Sequence, residues 1–513
     1  MRDDTPVLIG AGQFTYRGAP ETSLSPLALL RTATERAAAD AGLKLEPLAG
    51  LDTVAVVASA IDSGGGLSRA PFPKLRNAPK ALAMALGATP RYATSTHMGG
   101  NTPQQLINAL CARIAAGESD FALAVGAEFL GSLRKRMAAG SDFAGWEDDA
   151  DAPEPERFGD GRPGVSPQEQ LHWLNMPVNT YPLFENALRA HQGHSLAEHQ
   201  RQIGALFAPF TRVAAANPDA WFRTERSAEE LVTVSDQNRM VGFPYPKYVN
   251  AIMEVDQSAG VLIASVKAAR ALGVPEAKWV YLHGCSEAAD LWYPLERQNY
   301  YSSPAIRLSG KEALDMAGTT IRAIDFIDLY SCFPSAVEIA ALELGLGLDD
   351  PRGFTVTGGL PYMGGPGNNY AMHSVAVMMR NLRERPRSKG LVTANGWFLT
   401  KQAVGIYSTD PVEGAWERAD PHGLQAEIDA LPHPPIEEHP TGAARIETYT
   451  VVHRREGLAR GIVVGRDVNG HRFVANTPDD ETTLRGLEAV ESVGRTGQVG
   501  PHPDGQRNLF TPD

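Results

Sequence analysis

The sequence predicts an α/β protein in which one sheet-and-helix unit is used twice, followed by a small all-β domain. Three observations carry this reading. Apolar runs alternate with helical patterns up to residue 126, at the pitch of a mainly parallel sheet with helical cover. The alternation lapses and returns after residue 278. Finally, HMGGNTPQQLINAL (97–110) is echoed by YMGGPGNNYAMHSV (362–375). Each places Met-Gly-Gly between a sheet-like segment and a helix, which reads as a duplication.

In the first half, residues 7–12, 53–58, 91–95 and 121–126 read as strands, and 26–41, 78–86 and 101–116 as helices. This half spans 1–126 and takes in part of 235–275. Residues 127–234 read as an inserted loop domain. It includes DFAGWEDDADAPEPERFGDGRPG, whose acidic, Pro- and Gly-rich composition predicts a surface loop, and turns helical from 180 to 215. The second half, 276–412, carries strands at 279–282, 325–330 and 391–394 and helices at 303–316, 336–344 and 369–383. Residues 413–443 read as a linker. In 444–513, β-branched and aromatic positions alternate and are broken at Glu456-Gly457 and Asn469-Gly470, which predicts hairpins closing into a small barrel.

The chain has 513 residues, 43% hydrophobic and 21% charged, and a formal net charge of −13. That balance argues against a general nucleic-acid binder, although a local basic pocket for one phosphorylated ligand stays compatible with it. The apolar runs 121–126 and 261–266 are too short to span a bilayer. The N-terminus lacks the basic, apolar, small-residue order of a signal peptide, so a cytoplasmic protein is expected. Cys111, Cys285 and Cys332 lie far apart and read as buried small hydrophobes. His191, His194 and His199 have metal-like spacing, but no Glu follows the first as a zincin requires. A solvated helix face is expected there, and no metal site.

Several stretches resemble one family. GGNTPQQLINALCARIAAGESDFALAVGAE is similar to the helix and strand that follow the active-site Cys of thiolases. GGLPYMGGPGNNYAMHSVAVMMRNL resembles their Gly-His-Pro loop, DLYSCFPSAVEIAALELGLG the His-Asp-Cys-Phe loop of the sterol-carrier branch, and NAIMEVDQSAG the segment beside the pantetheine arm. The tail resembles an OB-fold, chiefly through Tyr449 to Arg454. The whole looks like the thiolase-like proteins of type 1 with an added C-terminal domain. That resemblance implies a thiolase fold: two βαβαβαββ halves in αβαβα layers. It also implies CoA or an acyl-CoA as ligand with no tightly bound cofactor, and acyl transfer of the acetyl-CoA acetyltransferase kind, in lipid metabolism, as the ancestral chemistry. Ordinary thiolases pair through the first half's sheet edge; a monomer and a homodimer are both open here.

Carried over position by position, the catalytic groups of the family are replaced. The nucleophilic Cys falls on Gly100, its activating His on Gly365, and the second Cys on Asn395. The His of the sterol-carrier loop becomes Tyr330, while Cys332 and Phe333 persist, and the pantetheine-side Ser becomes Ile252. Covalent acyl transfer by the ordinary route lacks its groups. What remains is backbone. Helix starts at Asn101 and near Asn369 aim N–H groups into one cleft, and Gly99, Gly100, Gly364 and Gly365 admit a thioester close to the main chain. The candidate acid/base residues are His97, Tyr330 and His373, with Tyr362 or Tyr370 flanking the second loop. The candidate binding residues are Gly99, Gly100, Asn101, His283, Cys332, Gly364, Gly365 and Asn395. Three readings follow: a CoA-thioester protein of acyltransferase ancestry, a Tyr-dependent retro-aldol lyase on β-hydroxyacyl-CoA, and a non-catalytic acyl-CoA-binding or scaffold protein.

Overall fold

A computed structural model describes residues 2–63, 72–149 and 151–513. The first-half sheet is built from β1 (Pro6–Thr15), β2 (Thr53–Val57), β3 (Tyr92–Thr96), β4 (Phe121–Phe129) and β5 (Glu156–Phe158). β6 (Met240–Gly242) and β7 (Tyr245–Pro246) leave for another sheet, and β8 (Asp256–Ser265) returns to this one. The spatial order is β1-β8-β4-β2-β3-β5. β2 pairs parallel with β3 and β4, while β8 runs antiparallel to both β1 and β4.

β5 corrects an expectation. The acidic stretch read as a surface loop contributes a strand that lies parallel to β3, pairing Thr94 with Glu156 and Thr96 with Phe158. It thereby covers backbone that an edge strand would otherwise offer to another chain.

The second sheet has the order β10-β11-β12-β9, from β9 (Tyr281–Ala289), β10 (Phe326–Asp328), β11 (Lys389–Gly396) and β12 (Lys401–Ser408). Between the sheets lie two helices, Thr102–Ala115 and Tyr370–Glu384, each touching strands of both. They are the helices of the Met-Gly-Gly echo. Leu106, Ile107, Leu110, Met372, Val375 and Met379 fill this middle layer, all at 1% exposure or less. Outside, Pro26–Ala41 and Ala78–Leu86 cover the first sheet, and Pro304–Met316 packs on the second. The layering is αβαβα.

The insertion is more helical than a loop domain. Pro177–Gln192 ends in a left-handed Gly193 (φ 72°), and Leu196–Ala216 begins with a capping box between Ser195 and Glu198. His191 and His199 therefore sit on different helices, with His194 in the turn between them. His199 is buried at 1%, contrary to the solvated face expected.

The tail closes. β13 (Gly442–Arg454), β14 (Gly457–Asp467), β15 (Arg472–Asn476), β16 (Thr496–Pro501) and β17 (Asn508–Pro512) run in the order β14-β15-β17-β16-β13, and β13 also pairs with β14. The ring is complete, with helix Glu481–Ala489 between its third and fourth strands, as in an OB-type barrel. β6 extends it through Gly242 and Val452. Asn186 Nδ2 donates to Tyr449 O (2.9 Å) and Arg472 Nη1 to Leu295 O (2.8 Å), fastening the barrel to the insertion and to the second half. Among the described residues no helix is long and apolar enough to cross a membrane.

Candidate active site

β3 stops at Thr96 and the helix begins at Thr102, whose hydroxyl donates to Gly99 O (2.7 Å) and ties the turn back on itself. The space for a nucleophile's side chain at residue 100 is filled from the other half of the molecule. A Cβ on Gly100 would lie 2.1 Å from the Tyr330 hydroxyl and 2.6 Å from Asn395 O. A phenol stands where the resemblance places a thiol.

Tyr330 follows β10, its N–H donating to Thr393 Oγ1 of β11 (2.9 Å) and its ring set edge-on to Tyr370. Burial pushes its hydroxyl well above the usual phenol range, with Cys332 and Tyr370 adding to the rise, so it is a proton and hydrogen-bond donor at neutral pH. It keeps 8% of its surface exposed. Asn395 ends β11 as a neutral amide held by its neighbours. Its Nδ2 donates to Tyr181 Oη (2.8 Å), and Tyr181 in turn donates to Trp397 O (3.0 Å). Cys332 lies 3.9 Å from Asn395 Nδ2, and burial pushes its thiol up to about 12, too high for a thiolate nucleophile. A cavity of about 10 Å³, the room of one water, opens between Tyr330, Thr393, Asn395 and Gln402.

The turn from β11 to β12 delivers a group that sequence reasoning missed. Lys401 is 5% exposed, and its Nζ donates to Met98 O and to Asp160 O (3.3 Å), within 6.0 Å of the Trp292 and Trp397 rings. A Cβ on Gly99 would lie 2.8 Å from that Nζ. Burial lowers the ammonium to about 8, opposed by Asp160 and aided by Arg162. Trp397 (φ 55°) and Leu399 (φ 56°) take left-handed backbone in this turn, strain of about 1–3 kcal/mol each that the packing around Lys401 and Asn395 sustains. His97 is half-buried beside it, packed under Gly161; burial lowers its pKa, as do Arg157 and Lys401. Asn101 is 2% exposed, and its Oδ1, directed at Gly99 and Gly396, is a buried acceptor with no hydrogen-bond partner.

The second loop meets the first through Asn368. Its Oδ1 accepts from Gly99 N (2.9 Å) and its Nδ2 donates to Ala58 O (2.8 Å), which consumes one of the N–H groups expected to face a ligand. Gly364 (φ 111°) leaves no room for a side chain, a Cβ meeting Gln257 Oε1 at 2.4 Å. Gly365 is looser: its nearest neighbour, Ile252 O, is 3.2 Å from a Cβ position. Gly365 N donates to Ile252 O (2.8 Å) and Ala251 N to Cys332 O (3.1 Å), so Gly365, Cys332 and Asn395 form one wall.

Three candidates are committed elsewhere, and a fourth, Tyr362, is buried with its hydroxyl unpaired. His373 Nδ1 pairs with Gln13 Oε1 (2.9 Å), and burial drops the ring to about 3, leaving it neutral and unfit as a base. His283 bonds Asp410 O (2.7 Å) at the far end of β9. Lys401 pairs with Ala289, six residues along, so about 20 Å of strand separates His283 from the turn. The Tyr370 hydroxyl is committed to Thr357 Oγ1 (2.6 Å), and the Tyr362 ring packs against Phe207.

Residues 423–506 match the family model described as the thiolase-like protein type 1 additional C-terminal domain. A solved structure described as a monomeric SCP2-thiolase like protein type 1 from Mycobacterium smegmatis is 36% identical over 99% of this chain and 99% of that one, with a TM-score of 0.84. This chain belongs to the type 1 thiolase-like proteins. The Ltp2-ChsH2(DUF35) aldolase (17% identity, 79% of this chain and 98% of that one, TM-score 0.57) shares the fold. So does an acetyl-CoA acetyltransferase from Syntrophomonas wolfei (13%, 79% and 99%, TM-score 0.52). Among curated proteins there is no match.

Within this thiolase-like frame the turn offers one neutral donor, Tyr330, one buried acceptor, Asn101 Oδ1, and one cation that titrates near pH 8, Lys401. Such a set can orient a carbonyl or a hydroxyl and move a proton. Among the described residues it holds no cysteine poised as a thiolate.

Proposed function

We propose that the protein binds a CoA thioester non-covalently at the Gly99–Gly100 turn and forms no acyl-enzyme. One observation carries the reading: the Tyr330 hydroxyl occupies the volume beside Gly100 that a nucleophilic side chain would need. A phenol held protonated can donate to a thioester carbonyl and polarise it, as an oxyanion donor does. It cannot take the acyl group at neutral pH. Isothermal titration with CoA and short acyl-CoAs tests the binding, with Tyr330→Phe expected to weaken it about tenfold for one lost hydrogen bond. Absence of heat and of any thermal shift at millimolar ligand overturns the reading, as does a stable acyl adduct by intact-mass spectrometry.

A second reading is favoured by Lys401 and Asn101. A β-hydroxyacyl-CoA would bring a hydroxyl to an unpaired acceptor beside a lysine of pKa about 8, which can take the hydroxyl proton while Tyr330 supports the enolate left by carbon–carbon cleavage. The aldolase resemblance speaks to fold alone. Wild type and the Tyr330→Phe and Lys401→Met variants should differ in cleaving β-hydroxyacyl-CoAs; equal rates, or none in wild type, dismiss lyase chemistry.

A further inference from the structure

The strongest unexplained feature lies away from this turn, where Pro177–Gln192 and Leu196–Ala216 meet the second-half helix Pro334–Glu343. Glu185, His199 and Glu338, one from each helix, are buried at 1% exposure or less, and one ligand-capable atom from each lies within 4.8 Å of the others. The carboxylates are held in the same way. Glu185 Oε2 accepts from the Tyr245 hydroxyl, and Glu338 Oε1 accepts from Gln202 Nε2 (3.0 Å). The remaining oxygens turn inward: Glu185 Oε1 contacts His199 Nε2, while Glu338 Oε2 is 3.8 Å from that nitrogen and has no hydrogen-bond partner. Arg189, the cation on the first of these helices, is committed to Glu491.

Two carboxylates, each held by an outer donor, and a buried imidazole converge here with Glu338 Oε2 unpaired, which is the donor set of a cation site. With both carboxylates ionised and His199 neutral, their charge of −2 would be balanced by one divalent ion. Mixed oxygen and nitrogen donors suit zinc and its neighbours better than calcium or magnesium. We propose that Glu185, His199 and Glu338 bind one divalent transition-metal ion of the zinc class, stapling the insertion to the second half. The staple acts on the turn described above. Tyr245 Oη, its proton spent on Glu185, lies 2.8 Å from Ser335 Oγ, whose hydroxyl can donate to it, and Tyr181, stacked on Phe333 at 4.5 Å, sits on the same helix as Glu185 and accepts from Asn395. The ion is a positioning element, remote from any reacting atom.

The full chain, stripped with EDTA and titrated with Co²⁺, should take up about one equivalent with a visible ligand-field band. Zn²⁺ should displace that band and raise the Tm of the stripped protein by about 3 °C or more. His199→Gln and Glu338→Gln should lose both responses, while His191→Ala, at an exposed position, keeps them. The wild-type titration needs no variant to fold: no band and no Tm rise overturns the proposal. Unaltered binding in folded His199→Gln and Glu338→Gln overturns it equally.

Discussion

The two Met-Gly-Gly loops began as one pattern and have opposite packing. At Gly100 the other half of the molecule presses in, with Tyr330, Asn395 O and Lys401 all within contact of the turn, and a side chain has no place. At Gly365 the walls stand back, and a methyl group would meet Ile252 O at 3.2 Å with its next neighbours at 3.6 Å. Where the resemblance places a thiol, the space is filled by a phenol from a distant loop; where it places an imidazole, the space is left more open. A missing catalytic residue in sequence is thus two different physical situations.

The contrast is most directly broken at the two glycines. Gly100→Ala should destabilise the protein by about 3 kcal/mol, since a phenol and a backbone carbonyl must both move, whereas Gly365→Ala should cost under about 1 kcal/mol. Urea midpoints read the difference, and similar shifts for both would show the loops to be equally closed. Asn368, the tie between them, comes next. Asn368→Ala leaves the buried Gly99 N–H unpaired and should cost about 2 kcal/mol, accompanied by faster hydrogen exchange at Gly99. A smaller effect than that of Asn368 is electrostatic and belongs to the tight loop alone. Lys401 titrates near 8 when folded and near 10.5 when unfolded, so between those values the unfolded chain binds the extra proton and folding stability rises with pH. Wild type should gain about 1 kcal/mol from pH 8 to 9, and Lys401→Met should not.

Much of this was legible in the sequence. The duplicated halves, the two middle-layer helices and the tail barrel followed from periodicity and turn residues, and the turn at Gly99–Gly100 followed from the break between strand and helix. Lys401 was not legible. It opens β12, a strand buried along its whole length that shows no alternation, and its charge interrupts the one apolar run that could have announced it. Asn101 was expected as a helix start, but that its Oδ1 would be left without a partner depends on residues hundreds of positions away. His199 was misread because a spacing rule presumes one helix, and Gly193 with Ser195 divides it into two. His283 failed through register: proximity to the site depends on where along β9 the residue pairs, which a strand's composition does not state.

β5 has a consequence beyond its three residues. Because Glu156–Phe158 is tethered to the same chain as β3, it meets that edge at an effective concentration on the order of millimolar, however dilute the protein. A strand arriving from another molecule at micromolar levels competes against an occupant already in place. The chain thereby makes the pairing of the β3 edge a matter of loop length, independent of how much protein is present.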